Sequence, residues 1–447
     1  MTLNPYLSGN FAPVKEEVTA YDLPVTGTIP AHLNGRYLRN GPNPLGIDDP
    51  STPHLWTMGE GMVHGVRIRD GRAEWYRNRW IRSTSVADRL GEPRRGTPVD
   101  ERMDFTPNVH VTGYAGRTYA LIEGGIRPYE LTYDLDTVGP AELGATPEGY
   151  SANAHSKYDP ATGELHSLAF QYGNESVQHI VMDAAGRVVR TTMISTPGNP
   201  YMHDFALTDR HVLVFDSPIV FAPERLAVGI PYGWDRDRPA RVGVMPREGG
   251  AVRWLELTQG TVGHTVNAYD TSRGIVVDVI VHPREWDLGD IGASRPILER
   301  WTIDLIDGHV RQDLVDDRPQ DFPRINQRYA QAPHRFGYLA VTELYTIPTR
   351  PDGFGNQLLK HDGQTGTAEI HDFGRHNAVG EGVFVSSASP RTEDDGYVMT
   401  YAHDADRGAT DLVILSAADF TAAPLARVHL PVRVPLGLHG SWIPDPH

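Results

Sequence analysis

The feature that most constrains this chain is a recurring local unit: a strand pattern, a tight Asp/Gly turn and a second strand pattern. It is clearest where residues 62–68 (MVHGVRI) lead through Asp70-Gly71 into residues 73–77 (AEWYR), with turn chemistry between two strand-like runs. Similar units open at Asp159 (DPATGELH), Asp183 (DAAGRVVR), Asp304 (DLIDGHVRQ) and Asp362 (DGQTGTAEI). So many hairpins in 447 residues, with little helical periodicity, predict an all-β chain built as a β-propeller. Paired sandwiches are the alternative. The spacing is irregular, and neither WD40 nor kelch signatures are present.

Other local signals refine this expectation. Asn34-Gly35 and Asn40-Gly41 predict turns within residues 33–44 (LNGRYLRNGPNP). Short helices are expected at residues 223–228 (PERLAV) and 416–420. His203 opens an apolar strand expected to continue through residues 212–215. The 45 glycines and 35 prolines are scattered, and no linker stands out, so residues 1–447 read as one domain.

Composition removes several function classes. A net charge of −16 without any basic block leaves nothing to neutralise phosphates, so no nucleic-acid partner is expected. With no cysteine, disulfides, iron–sulfur clusters, cysteine-based zinc sites and thiol nucleophiles are excluded. The first residues lack a basic segment followed by an apolar core, so no signal peptide is expected. The densest apolar run, residues 274–281 (GIVVDVIV), is too short to span a bilayer. A cytoplasmic location follows as the default.

Any metal must therefore be held by His, Asp or Glu. No H-E-x-x-H, H-x-H or H-x-[DE] pair occurs among the 20 histidines, nor does a G-x-S-x-G elbow or a phosphate-binding G-x-x-x-x-G-K-[ST] loop. A site would have to gather one ligand from each of several distant segments, as the axis of a propeller allows. Four segments are candidate donors: residues 152–160 (ANAHSKYDP) with His155, 201–206 (YMHDFA) with His203, 263–269 (GHTVNAY) with His264, and 435–442 (PLGLHGSW) with His439. The separations are 203 − 155 = 48, 264 − 203 = 61 and 439 − 264 = 175 residues, or one blade, one blade and several at roughly 40–50 residues each. Gly437 and Gly440 beside His439 would let backbone approach closely. The other histidines, including His64, His110 and His334, read as ordinary hydrogen-bonded or surface residues.

These segments, with NFAPV at residues 10–14, LNGRYLRNGPNP, GEGMVHGV at 59–66, PRINQRY at 323–329 and EDDGY at 393–397, resemble the carotenoid cleavage oxygenases over nearly the whole chain. The resemblance implies a seven-bladed propeller with a helical or loop cap over one face. It implies Fe(2+) on the axis, held by His155, His203, His264 and His439. It also implies three carboxylates behind the ligands, of which Glu123 and Glu381 match two. The third falls in DFPRIN, where the family reads EFPRI, so Asp321 stands in place of glutamate. A side chain one methylene shorter requires a closer backbone, a longer bond or a bridging water.

The implied activity is a dioxygenase reaction, in which O2 cleaves a C=C double bond of a carotenoid or apocarotenoid into two carbonyl products. No protein residue beyond the metal site is implied to be catalytic, and no reducing cofactor is needed. Stilbene- and phenylpropanoid-cleaving members often carry Lys directly before the first carboxylate. Here that position is Ile122, which disfavours a phenolate and favours an apolar polyene over an aryl-alkene. Residues 226–234 (LAVGIPYGW) could form a peripheral membrane contact or pack as ordinary loop. An isomerohydrolase-like activity on an ester C–O bond and a non-catalytic propeller scaffold are the other readings. The sequence fixes neither the cleaved bond nor the oligomeric state.

Overall fold

Seven antiparallel sheets follow one another along the chain and form the blades of a β-propeller. The computed structural model describes residues 3–96, 107–225, 230–258, 260–283, 295–342 and 355–446. The second blade comprises His110–Tyr114, Arg117–Leu121, Tyr129–Leu131 and Thr137–Pro140, from the axis outward. The third comprises Lys157–Tyr158, Leu165–Phe170, Ser176–Met182 and Val188–Ser195. The fourth uses Phe205–Leu207, His211–Asp216, Arg241–Pro246 and Arg253–Glu256; between its middle strands lies a two-stranded excursion, Ile219–Phe221 with Tyr232–Trp234. The fifth is Thr261–Asp270, Gly274–His282, Ile297–Asp304 and His309–Asp316, and the sixth Gln320–Arg324, Phe336–Val341, Gln357–Asp362 and Thr367–Asp372.

The two remaining blades interleave the ends of the sequence. In the first, Gly440–Pro444 is the inner strand beside Gly35–Pro42, followed by Gly61–Arg69, Arg72–Trp80 and Thr19–Tyr21. In the seventh, Asn377–Val379 and Val383–Ser386 both pair with Gly396–Asp404, followed by Ala409–Ser416, Ala426–His429 and finally Val25–Gly27. Residues near one end of the chain thus edge both blades, while residues near the other close the ring from within.

Burial follows position. Middle strands such as Leu165–Phe170 are buried at every residue because neighbouring blades cover both faces. Outer strands such as Val188–Ser195 mostly alternate between exposed and part-buried residues, showing one face to water. Aromatic contacts join blades: Tyr37 of the first meets Tyr401 of the seventh edge-on at 5.0 Å, and Phe215 of the fourth meets Trp301 of the fifth at 5.9 Å.

Several local expectations are corrected. The two Asn-Gly pairs are not hairpin tips, because Gly35–Pro42 is one fully buried strand. Gly41 serves close approach instead: a Cβ there would lie 2.5 Å from Gly437 Cα. Residues 416–420 are not helical, since Ala417 N–H donates to Gly396 O and prolongs the ladder. Only Pro223–Arg225 of the segment 223–228 is a described helix, of 3-10 type, and residues 226–229 lie outside the described residues. The strand expected to run on from His203 is two strands, Phe205–Leu207 and His211–Asp216, folded back on each other. One α-helix had no counterpart in the sequence reading. Thr84–Leu90 starts where Ser83 accepts from Val86 N–H and stops at Gly91, whose φ of 67° suits a left-handed cap. Among the described residues no helix is long and apolar enough to cross a membrane.

Candidate metal centre

The four predicted histidines stand at the entry of inner strands. His155 precedes Lys157–Tyr158, His203 precedes Phe205–Leu207, His264 lies within Thr261–Asp270, and His439 directly precedes Gly440–Pro444. They come from the third, fourth, fifth and first blades. The three predicted carboxylates come from the other three: Glu123 follows Arg117–Leu121 in the second, Asp321 lies in Gln320–Arg324 of the sixth, and Glu381 lies between Asn377–Val379 and Val383–Ser386 of the seventh. Every blade contributes one member of the set.

The imidazoles converge. His155 lies with ring centroids 4.3, 5.0 and 4.8 Å from His203, His264 and His439. His264 lies 4.8 Å from His203 and 5.0 Å from His439. His203 Nε2 and His264 Nε2 face each other at 3.0 Å, and His155, His264 and His439 offer ligand atoms all within 4.8 Å of one another. Two glycines make room for His439. A Cβ on Gly437 would lie 2.8 Å from Asn40 O, and one on Gly440 would lie 2.3 Å from Leu38 O. His439 N–H donates to Val109 O, and its own carbonyl accepts from Asn40 N–H.

Behind the ring stand the carboxylates. His264 Nδ1 is 2.6 Å from Asp321 Oδ1 and His439 Nδ1 is 2.9 Å from Glu381 Oε1, whereas Glu123 Oε1 lies 2.7 Å from His203 Nδ1 out of hydrogen-bond alignment and that nitrogen bonds instead to the Tyr201 hydroxyl at 3.0 Å. Asp321 reaches His264 directly, by the closer-backbone route. The strand carrying it shifts register between Asp321 and Arg324, and Phe322 adopts φ 57°, a left-handed conformation costly for a side chain of its size. The strand of His264 also shifts register, between Val262 and His264. All three acids are buried, Asp321 completely.

Charge and burial set the protonation. Burial, aided by the neighbouring imidazoles, holds His155 well below its ordinary value and therefore neutral. Burial also lowers His439, against the opposing pull of Glu381. For His264 burial lowers the pKa, but the Asp321 carboxylate outweighs it and the net shift is upward. Asp321, raised by burial but held down more strongly by His264, sits at about 2. With Nδ1 held by a carboxylate, an imidazole presents its Nε2 lone pair inward. His155 Nε2 is buried with no aligned hydrogen-bond partner, although Glu123 Oε1 is 3.1 Å away. A tight group of imidazole nitrogens backed by three carboxylates, one nitrogen lacking a partner, is the donor chemistry that suits a borderline divalent transition ion.

The centre has two unlike sides. On one, Tyr201 stacks on His203 at 5.5 Å and packs with Phe170 at 5.9 Å and Tyr232 at 5.1 Å. Its hydroxyl donates to Glu123 Oε2 at 2.9 Å. On the other, a cavity of about 990 Å³ leads from His155, His264 and His439 past Lys157 and Asp204 to the turn at Ala115 and Gly116. Tyr201, Asp204, Lys157 and Arg324 were not picked out by sequence reasoning. Arg324 forks onto Glu381 at 2.8 and 3.0 Å and also donates to Gly440 O at 2.8 Å. Their adjacency to the predicted residues was the only available signal. The remaining histidines named above have ordinary partners: His64 pairs with Tyr76 OH, His110 with Ala154 O and Ser441 Oγ, and His334 with Asn267.

A family model described as retinal pigment epithelial membrane protein (RPE65) matches residues 11–444. A carotenoid cleavage oxygenase of Mycobacterium tuberculosis is 42% identical, the alignment covering 99% of this chain and 98% of the relative. Among solved structures, a Synechocystis apocarotenoid oxygenase variant superposes with a TM-score of 0.86 at 25% identity, covering 99% of this chain and 98% of the other. A Pseudomonas brassicacearum lignostilbene dioxygenase does so with a TM-score of 0.86 at 26% identity, covering 99% of each.

Proposed function

Since the chain belongs to the carotenoid cleavage oxygenase family, we propose that it is an Fe(2+)-dependent dioxygenase cleaving a C=C bond of a carotenoid or apocarotenoid with O2. The observation that carries the reading is the sevenfold convergence: four imidazoles from four blades, backed by carboxylates from the other three.

His155, His203, His264 and His439 would hold the ion, and Glu123, Asp321 and Glu381 would fix the tautomer and orientation of three of them. When bound, iron supplies the binding and activation of O2. Four neutral imidazoles add no negative charge of their own, and the charge that offsets the ion comes from the carboxylates behind them. Both oxygen atoms pass into the two carbonyl products, so the balance needs no external reductant.

The protein's share is orientation and exclusion of water. Tyr201, fixed by its bond to Glu123, turns its ring face to His203 and forms a rigid aromatic wall with Phe170 and Tyr232. A polyene lying on that wall would be held by apolar contact rather than by charge. Ile122, beside Glu123, offers no ammonium for a phenolate, which favours the polyene. A second reading, an aryl-alkene substrate, rests on the likeness to the lignostilbene dioxygenase and on the tyrosines of that wall. We further take residues 1–447 to act as one cytoplasmic unit in peripheral contact with membrane.

The test is to load the protein with iron, count metal per chain, and supply apocarotenoids, carotenoids and stilbenes under labelled O2. Aldehydes from a polyene, each carrying label, are expected. Products from stilbenes alone would move the substrate to the second reading. A product trapped at once, before its carbonyl can exchange with water, that lacks the O2 label would overturn the dioxygenase reading, and a folded protein that binds no iron would overturn the metal reading.

A further inference from the structure

Asp204 follows His203 directly and is buried, 4% exposed. Its carboxylate is fully engaged. Oδ1 receives the Lys157 ammonium at 2.7 Å and Phe205 N–H at 2.7 Å. Oδ2 receives Thr265 N–H at 2.8 Å and the Thr265 hydroxyl at 2.9 Å. Lys157 stands two residues after His155, and Thr265 one residue after His264. One carboxylate on the fourth blade therefore holds the third and the fifth, each next to its histidine.

This matters because the blades share no backbone ladder here. Lys157–Tyr158, Phe205–Leu207 and Thr261–Asp270 belong to three different sheets. The Asp204 carboxylate and the Thr265 hydroxyl, which also reaches Phe205 O at 3.1 Å, link these strands instead. His155, His203 and His264 would hold one ion only if their mutual separations are fixed, so a shift of a few tenths of an ångström in one strand would weaken the set. The fourth histidine is fixed by other means. Glu381 accepts from His439 Nδ1 and from Gly440 N–H at 2.8 Å, while Arg324 forks onto Glu381 and reaches Gly440 O.

We propose that Asp204 is a positioning residue for the metal centre, fixing three of the four histidines relative to one another through Lys157 and Thr265. The inference rests on the metal reading above. Asp204 and Lys157, 2.7 Å apart, line the cavity, to which Tyr201, Phe170 and Tyr232 do not contribute, so the bracket does not depend on the aromatic wall.

Cobalt(II) is a suitable probe, because its visible bands report ligand geometry. Affinity would be measured by chelator competition for wild type, Asp204→Asn and Lys157→Met. Asp216→Asn serves as a control: it breaks another buried ion cluster, with Arg238 and Arg241, away from the centre. The inference expects Asp204→Asn to weaken binding by roughly tenfold or more and to shift the cobalt bands, Lys157→Met to weaken it by a smaller factor, and the control to lower the melting temperature alone. Asp204→Asn binding cobalt like wild type, with unshifted bands, would overturn it. If Asp204→Asn does not fold, Lys157→Met decides: unchanged affinity and spectrum overturn the inference. Wild type that takes up no ion would remove the underlying metal reading as well, a result distinct from a wild type that binds and a variant that binds equally.

Discussion

Asp321 Oδ1 stands 2.6 Å from His264 Nδ1, closer than Glu381 stands to His439 at 2.9 Å, although the aspartate arm is one methylene shorter. The backbone supplies the missing reach through the register shift before Arg324 and the left-handed Phe322. The pocket is thus built for the short side chain. Asp321→Glu is expected to weaken metal binding and to destabilise the fold by about 1–3 kcal/mol, because the added methylene must be accommodated at a fully buried position. Asp321→Asn keeps the shape but loses the charge, and should weaken metal binding by roughly 10–100-fold. Competitive metal titration with thermal melts checks both, and equal affinity in Asp321→Glu and wild type would contradict the account.

His439→Ala should abolish stoichiometric iron and leave the strand content intact, because the variant keeps Gly440–Pro444 paired with Gly35–Arg39. Deleting residues from Leu436 onward removes that inner strand and should lose iron and ring closure together. Circular dichroism with metal analysis separates the two. A His439→Ala protein that keeps one iron per chain refutes the role given to this residue.

Gly41→Ala is expected to destabilise the first blade. The new Cβ would meet Gly437 Cα at 2.5 Å, backbone against backbone, with no flexible atom to give way. A loss of about 1–3 kcal/mol or more is expected, read as a lower urea midpoint. Gly116→Ala, which meets nothing within 4 Å although its φ is 75°, provides a comparison in which only backbone strain acts.

Acid should loosen the third blade. His166 and His179 are fully buried, with ring nitrogens 3.1 Å apart. Burial, then the Arg247 and Arg190 guanidinium groups, lowers His166 to about 3; burial, then His166 itself, lowers His179 to about 3. The folded values lie below the ordinary histidine value of about 6.5. Their contribution to stability is therefore complete above about pH 6.5 and is lost as pH falls towards 3. Stability should drop between pH 6.5 and 4, read as a falling melting temperature, and His179→Gln, which can still hydrogen-bond but does not titrate, should reduce the loss of stability by on the order of 1–2 kcal/mol. An identical pH profile in the variant would refute this.

Ile122→Lys should bring phenolic stilbenes into the site by placing an ammonium beside Glu123. Enhanced binding of a hydroxystilbene relative to its methyl ether, measured by fluorescence quenching, is the expected outcome. Equal affinity for both ligands would show that this position does not select the substrate.

Much of the fold was written locally. Asp70-Gly71 and the turn from Asp362 to Gly366 make their hairpins through contacts within a few residues, which is why the strands around them were legible. The helix at Thr84–Leu90 carried its marks, Ser83 and Gly91, but is too short for an apolar period to show. The Asn-Gly pairs misled because Gly41 answers to Gly437, nearly the whole chain away. The site divides similarly. Among 20 histidines nothing in spacing alone singles out four; the family resemblance does. Lys157, Asp204 and Thr265 meet only after three blades are assembled, so no local pattern marks them.

The seven-way division of the centre bears on how this propeller could change. In a ring whose blades all do the same job, one unit could stand in for another. Here the blades are specialists: four carry an imidazole and three a carboxylate, in a fixed order around the axis. Copying one blade over another would double one group and erase its partner. That specialisation gives a reason why the hairpins share a plan yet never settle into a sequence repeat, and it makes the order of blades, rather than their number alone, the unit of inheritance.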